Sequence, residues 1–551
     1  MFSQFRKECA KIIGVSENAL ETPPKGMTTD LAFPCFNLAK EQRKNPMEIA
    51  KELENKLKGK RLKFIKEIKA SGPYLNFFID YEKFSPLVAG DVLKQKDKYG
   101  SGSKKEIIVI EFPGPNTNKP LHLGHLRNMT LGISLSNILK FSGYDVKNVD
   151  IINDRGVHIC KSMMAYKEFG NGSEPDKKPD HFVGDFYVLF AKKLESLEDT
   201  QQKIRQMLVD WENGDKETRA LWKKMNNWAV SGFKQTYERF GVRIDKAYYE
   251  SEHYLEGKKI VTDGLKKHIF TQDAEGNIII DLEERGLGKR VLLRGDGTTL
   301  YITQDIVLAL KRYNDFHMDR MVYVVGEEQR DHFKALFSVF EILGYKFAKK
   351  CYHLSYGMVN LPEGRMKSRE GTAVDADNLM DELRNIAMDK IKERGGDDEK
   401  KAEKIGLSAI KYFIVKFDPD KTITYDPKAS LEFEGDTGPY IQYTYARANS
   451  IMQKSTAKIS TKPLFTERIE LDIIRKISQF SDMVEKSAGE YRPNILAAYV
   501  FELATLFNEF YHSLKVVGEP QESNRLALVA AVMQVIENGT RLLGIDVLKE
   551  M

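Results

Sequence analysis

EIIVIEFPGPNTNKPLHLGHLRN, residues 106–128, decides the fold. Glu106–Phe112 is a run of strand length with an apolar centre, Ile107–Ile110, and turn-forming Pro, Gly and Asn follow it. Asn116–His125 comes next, built around His122-x-Gly-His125. Leu126–Phe141 then has helical character, Gly143 stops it, and Asp145–Ile152 supplies another strand. Strand, helix, strand is the grammar of a parallel, doubly wound sheet, whose ligands sit at the carboxyl ends of the strands. A helix opening near Leu121–Leu123 presents unpaired N–H groups and a positive dipole end, an arrangement suited to phosphate. Gly124 removes a side chain where a flat purine could lie against the backbone. His122 and His125, three apart, share a helix face, and both can donate to oxygens whose charge grows during displacement at phosphorus. Taken singly, either histidine reads as well as a capping or core residue; strand, glycine and helix together favour a nucleotide site.

Outward from this unit the chain divides into three. Residues 1–95 read as a small α/β domain, with a helix at Phe2–Ile13 and a second at Asn45–Leu57, where Asn45 is the N-cap and Pro46 the first helical residue. Strands are expected at Leu62–Ala70 and Tyr74–Ile79, around Ser71-Gly-Pro. KDKYGSGSKK, residues 96–105, reads as a polar linker. The central domain spans 104–430, with a helical insertion at about 160–275 interrupting the sheet. Its strands resume at Asn277–Asp281, Arg290–Leu293 and Arg320–Val325. Residues 431–551 are helical, with periodic stretches at 437–453, 468–487, 492–515 and 524–543.

Composition sets limits. The 551 residues carry a net charge of only +5, so any nucleic-acid surface is local. The four cysteines, Cys9, Cys35, Cys160 and Cys351, lack CxxC spacing, which argues against zinc or a disulfide framework and fits a reducing cytoplasm. No apolar run approaches the roughly 18 residues of a membrane span, and the N-terminus lacks a signal-peptide core.

A second element is GRMKSREG, residues 364–371, after the strand-like Tyr356–Leu361. Arg365, Lys367 and Arg369 alternate between glycines, as in a loop that closes over pyrophosphate and withdraws. A solvated basic loop is the competing reading of the same residues.

HLGH with RMKSR resembles the HIGH and KMSKS motifs of class I aminoacyl-tRNA synthetases. The longer strings NTNKPLHLGHLRN, LYITQD, GRMKSREG and DTGPYIQYTYARANSI resemble the arginyl-tRNA synthetases in particular, over essentially the whole chain. The resemblance implies a Rossmann-like catalytic domain of the HUP type, with an N-terminal domain that contacts the tRNA elbow through its D-loop. The helical C-terminal domain would bind the anticodon, in the manner called DALR. It implies ATP with Mg²⁺ as substrate complex, L-arginine and tRNA(Arg) as partners, no zinc, no metal ligands from protein, no membrane, and a monomer. His122, Gly124, His125, Met366, Lys367 and Ser368 would hold ATP. Glu111, Gly114, Pro115, Asn116, His125, Tyr301, Asp305 and Gln329 would hold arginine. Tyr301 and Asp305, at i and i+4, share one face if a helix begins there, and a carboxylate with a hydroxyl suits a planar guanidinium. Tyr440, Tyr443, Arg447 and the C-terminal Met551 would meet tRNA. In the N-terminal domain, Asp30–Lys40 and Ser71–Phe78 match the family pattern.

One departure matters. The family's KMSKS lysines fall on Arg365 and Ser368. In many arginyl enzymes a lysine upstream of HIGH takes over, here Lys119, with Lys367 and Arg369 as competitors for the catalytic charge. A site that hydrogen-bonds a guanidinium rejects other side chains by about 10⁴, so no proofreading domain is expected. Other readings are a synthetase or nucleotidylyltransferase of different specificity, or a non-catalytic tRNA-binding paralogue.

Overall fold

The computed structural model describes residues 1–24, 27–60, 62–197, 199–297, 299–362 and 374–551. The expectations placed on Arg365, Met366, Lys367, Ser368 and Arg369 lie outside the described residues.

In the N-terminal unit, helix Phe2–Ile13 buries Phe2, Phe5, Cys9 and Ala10 along one stripe. Helix Pro46–Leu57 starts as its sequence dictates, Asn45 accepting from the Met47 N–H at 2.9 Å. Strands β1 (Leu31–Pro34), β2 (Ile65–Ser71) and β3 (Tyr74–Ile79) form an antiparallel sheet in the order β1-β3-β2. The second strand begins at Ile65 rather than Leu62, and β1 was not anticipated because four residues carry too little periodicity.

The polar stretch 96–105 is not a loose tether. Tyr99 is buried, its ring stacked on Phe480 and its hydroxyl donating to the Ile477 carbonyl at 3.1 Å, while Asn538 donates to the Lys96 carbonyl. One aromatic residue outweighs the composition around it.

The central sheet holds β4 (Ile107–Glu111), β5 (Asp145–Ile152) and β6 (Lys246–Tyr249). A separate antiparallel sheet holds β7 (Thr271–Gln272), β8 (Ile278–Asp281) and β9 (Lys289–Leu293). The central sheet is completed by β10 (Arg320–Gly326) and β11 (Cys351–Tyr356). Its order is β11-β10-β4-β5-β6, with every pairing parallel. Two expectations are corrected. The stretch 160–275 is helical from Val157 to Phe240, but it returns to the sheet as edge strand β6. The strands at 277–293 do not join the central sheet: their short connection, with Gly286 and Gly288 at positive φ, reverses the chain, whereas a parallel pair needs a crossover. The strand-like run Tyr356–Leu361 also resolves differently, as the end of β11 and a two-residue strand β12 (Val359–Asn360) paired with β13 (Ile423–Thr424).

The chain winds from β4 through β5 to β6 on one side, then crosses to β10 and β11 on the other. The strand order therefore reverses between β4 and β10, and the crevice opens at their carboxyl ends. Helix Leu123–Phe141 is buried on nearly every face because it lies between the sheet and the C-terminal helices. A Cβ at Gly132 would run into the Phe112 ring, so glycine is what lets this helix settle on the strand end. Ser134 ties it to the Leu543 carbonyl at 3.1 Å.

Helix Glu399–Val415 carries a buried lysine to the same junction: Lys411 donates to the Gly544 carbonyl at 2.9 Å. Burial pushes its ammonium down to about 8, against the attraction of Asp546 and Glu403. The unfolded chain holds that proton up to about pH 10.4. Between these values the unfolded state binds more protons, so this residue adds stability as pH climbs from 8 to 10, by up to about 3 kcal/mol. Lys411→Met is expected to lose that rise in a pH series of melting temperatures; an equal slope in both proteins would refute it.

Candidate active site

A cavity of about 940 Å³ opens at the carboxyl ends of β4 and β10. Its floor is the loop after β4, which hangs from the end of β5. The Gly114 N–H donates to Asp150 Oδ1 at 3.0 Å, the Asn153 side chain donates to the Gly114 carbonyl at 3.2 Å, and the Asn153 N–H donates to the Pro115 carbonyl at 3.0 Å. Asp150 is buried, which pushes its carboxyl up to about 7 although Gly114 and the Tyr237 hydroxyl both donate to it. Gly114 and Asn116 line the cavity; Pro115 supports it from the loop.

The two histidines meet in a way that helix-face spacing does not describe. His122 has extended backbone and is the N-cap, outside the helix. Its Nδ1 accepts from the Gly124 N–H at 3.1 Å, and His125 Nδ1 accepts from the His122 N–H at 3.1 Å, a reciprocal capping box made of imidazoles. The ring centroids are 4.0 Å apart. With both Nδ1 atoms accepting, the proton of each neutral ring sits on Nε2 and remains available as a donor. Burial, reinforced by the Lys119 charge, pushes His122 down to about 4; burial, His122 and Lys119 push His125 well below its usual value. Both rings are therefore neutral donors at pH 7. A Cβ at Gly124 would come within 2.9 Å of the His122 ring, so this glycine makes room for the cap as well as lining the cavity.

Lys119 is held close by. Gly184, on helix Pro179–Lys193 of the insertion, lets that helix close on the Lys119–Pro120 backbone: an added Cβ would sit 2.5 Å from Pro120 Cδ and 3.6 Å from Lys119 Cα.

The far end of the cavity is acidic. The helix required by the Tyr301–Asp305 spacing begins at Tyr301, whose side chain is exposed, and both residues line the cavity. Asp305 Oδ2 lies 2.6 Å from His332 Nε2. Gln329 lines the cavity from the turn after β10. Glu111 reaches it too, but its carboxylate is already ion-paired with the fully buried Arg312, two turns beyond Asp305 on the same helix. Burial pushes the Glu111 carboxyl up, and Arg312 opposes the rise.

Several lining residues escaped the sequence reading. Glu250 follows β6; burial pushes its carboxyl up to about 7, with Arg155 at 3.8 Å opposing. Its signal was position just past the end of a sheet strand, lost because β6 was read as insertion. His332, three residues after Gln329, received no role from the sequence. Asn128, bonded to the Val324 carbonyl and the Tyr356 hydroxyl, faces the cavity from inside a helix, where an asparagine carries no distinguishing signal.

Comparison with known proteins matches this layout. Three family models match in order: the Arginyl tRNA synthetase N terminal domain over 2–79, the catalytic domain of tRNA synthetases class I (R) over 89–423, and the DALR anticodon binding domain over 441–551. An arginine–tRNA ligase of Treponema denticola is 45% identical, covering 98% of this chain and 96% of that one. One from Bacteroides thetaiotaomicron is 41% identical, covering 97% and 95%. The chain belongs to the arginyl-tRNA synthetase family. Membership makes it a class I aminoacyl-tRNA synthetase, an enzyme of the ligase type. The arginyl-tRNA synthetase of Thermus thermophilus superposes with a TM-score of 0.85 at 26% identity over the full length of both chains. That of Plasmodium falciparum shares the fold, with a TM-score of 0.81 at 21% identity over 100% of this chain and 98% of that one.

Away from the cavity, the arginyl-tRNA synthetase fold separates one of the four residues that the sequence grouped for tRNA. Tyr443, Arg447 and Met551 line a groove of about 890 Å³ in the helical domain. The Arg447 guanidinium lies 4.8 Å from the Tyr443 ring and 4.4 Å from Tyr511, and it hydrogen-bonds Asn508. Tyr440 does not line this groove; it packs on Phe501 against the helical core. In the N-terminal unit, Asp30 is buried and accepts from Tyr81, Ile79 and Arg475, so it fastens this unit to helix Arg468–Ser478. Phe36 is half exposed, edge-on to Tyr74.

Proposed function

We propose that this arginyl-tRNA synthetase carries out both steps in the cavity at the β4–β10 crevice. ATP lies at the HLGH helix, and arginine lies with its guanidinium toward Asp305, Tyr301 and Glu250. The observation that carries the reading is the make-up of one continuous cavity: two neutral Nε2–H donors and a helix N-terminus share its lining with the carboxylates of Asp305 and Glu250. In the first step an oxygen of the arginine carboxylate attacks the α-phosphorus. The bond to the β-phosphoryl oxygen breaks, and pyrophosphate leaves with Mg²⁺. His122 and His125 donate from Nε2 to phosphate oxygens as charge grows there, and Gly124 offers a flat surface to the base. Asn116 and Gln329 orient the α-amino and carboxylate groups, with the Gly114–Pro115 backbone beside them. In the second step a hydroxyl of the 3′-terminal ribose attacks the activated carbonyl and AMP leaves, without a covalent enzyme intermediate.

Glu111 acts in this scheme through Arg312, as a fixed wall behind Asp305 rather than as a free carboxylate. The division at 1–95, 104–430 and 431–551 assigns the tRNA elbow to the N-terminal unit, where exposed Phe36 and Tyr74 suit a loop base. It assigns the anticodon to the groove of Tyr443, Arg447 and Met551, whose stacked rings and guanidinium suit unpaired bases. The enzyme works as a cytoplasmic monomer; among the described residues no helix is long and apolar enough to cross a membrane.

Lys119 supplies the fixed positive charge that Arg365 and Ser368 leave unfilled. Its effect on both HLGH imidazoles and its backbone clamp under Gly184 support this. Lys119→Ala is expected to slow adenylate formation by about 10²-fold in single turnover; an unimpaired rate would return the role to Lys367 or Arg369. The whole reading is tested by charging total tRNA with each amino acid in turn. Arginine alone should be accepted, and charging with any other amino acid would overturn the pocket assignment.

A further inference from the structure

The HLGH turn is held from outside its own helix. The Leu123 N–H donates to the Val374 carbonyl at 3.0 Å, and the Ala376 N–H donates to the Leu121 carbonyl at 3.0 Å, so 374–376 bridges antiparallel to 121–123. Leu121 and Leu123 are fully buried at this bridge. What fixes 374–377 is a cluster contributed largely by the insertion. Lys178 Nζ donates to Asp377 Oδ2 at 2.9 Å, Asp180 Oδ2 at 2.9 Å and Thr236 Oγ1 at 2.7 Å. His181 Nε2 lies 3.2 Å from Asp375 Oδ2 and 3.4 Å from Asp377 Oδ2. Thr236 donates to Asp377 Oδ2 at 3.1 Å, and Arg239 reaches the Asp377 carbonyl at 3.4 Å.

The cluster is built to be occupied by a lysine. Asp180 is completely buried, and a Cβ at Gly232 would collide with its carboxylate, so the facing helix Lys216–Phe240 is hollowed to receive it. Ligand atoms of Asp180, His181 and Asp377 lie within 4.8 Å of one another, close enough to enclose a cation. The Lys178 ammonium touches two of those three groups, and so is the cation of this cage. Burial works against ionised Asp377, yet hydrogen bonds from His181, Lys178 and Thr236 hold its carboxyl down to about 2. The same bond to Asp377 raises His181 above its usual value, against burial.

We infer that Lys178 is a positioning residue for adenylate formation: from the helical insertion it anchors Asp377, and through the 374–376 backbone it sets the HLGH turn against the phosphates. This rests on the reading that HLGH acts on ATP. The insertion is then part of the catalytic apparatus, because it supplies the charge that fixes the turn.

The test is arginine-dependent ATP–pyrophosphate exchange on full-length variants. Lys178→Met should lower kcat by about 10²-fold through misplacement of the turn, with KM for arginine shifted less than about threefold, since the arginine end of the cavity has no contact with the cluster. Lys178→Arg should recover most of kcat. Lys178→Met strands buried carboxylates, so its melting temperature should fall; adding Asp180→Asn, which removes the fully buried charge, should recover stability without restoring kcat. His122→Asn provides the discriminating background. If Lys178 acts through HLGH, combining it with Lys178→Met should cost little beyond the larger single loss. Multiplicative losses, or an unchanged kcat in Lys178→Met, would overturn the inference while leaving the HLGH reading intact. An unchanged rate in His122→Asn alone would instead sink that reading.

Discussion

Asp305→Ala is expected to reduce arginine-dependent ATP–pyrophosphate exchange by about 10⁴-fold while ATP binding changes little. A guanidinium is planar, always charged and carries five donors in a fixed fork, which a carboxylate matches in both geometry and charge. Removing the carboxylate leaves the ligand's donors without their charged partner, and sites reading such groups lose about 10⁴ or more when the pairing is broken. It also strips His332 of its partner at 2.6 Å. The ATP end of the cavity depends on the helix at Leu123 and is untouched. Calorimetric titration with a non-hydrolysable ATP analogue, beside exchange kinetics with arginine, separates the two ends. Near-normal turnover in this variant would move the guanidinium contact to Glu250, a cavity carboxylate whose nearest guanidinium, Arg155, lies 3.8 Å away.

The second large effect belongs to His122→Asn. Alanine here would confuse folding with chemistry, because the His122 ring caps its helix. Asparagine is among the best N-cap residues and can accept the same N–H, but it has no donor where Nε2–H stood. The expected result is a melting temperature within a few degrees of the parent and a fall in kcat of about 10²–10³, the usual consequence of losing one donor to a developing oxyanion. The parent's pH profile supplies a check. His122 is pushed down to about 4, so its neutral donor form persists through pH 5, and the acid limb of kcat should lie well below 6.5. The stability consequence has the same sign. The folded state declines a proton that the unfolded chain takes up near 6.5, so stability is lost as pH falls from there toward 4. A kcat limb near pH 6.5 in the parent would show that the rings titrate freely and are not locked by the reciprocal cap.

Local grammar carried much of the design. Asn45 and Pro46 start their helix where capping chemistry puts them, and Asp145–Ile152 is a strand over that very span. The failures are equally physical. KAYY at 246–249 is too short and too polar on its outer face to announce an edge strand, so β6 and the Glu250 that follows it were absorbed into the insertion. At the site, the sequence offered capping as one alternative for each histidine, but not the reciprocal cap the two form, since helix-face spacing suggested otherwise. Glu111 was legible as a carboxylate near the pocket; its pairing with Arg312, some 200 residues away, could come only from the fold. Tyr440 and Tyr443 are indistinguishable by helical spacing, and only the position of Phe501 sends one inward.

The burial of helix Leu123–Phe141 on nearly all sides has a consequence for how such an enzyme can be taken apart or rebuilt. A substantial part of its coat belongs to helices from residue 480 onward, and Ser134 and Asn137 bond directly to the backbone at 541–543. The C-terminal helical end and the end that carries HLGH are therefore not interchangeable cassettes. A fragment ending at 430 would surface a fatty flank of its own catalytic helix and should precipitate, and a graft from a distant relative would have to bring a matching helix coat with it. Selection on either end must be answered at the other, so the two halves can drift only as a couple.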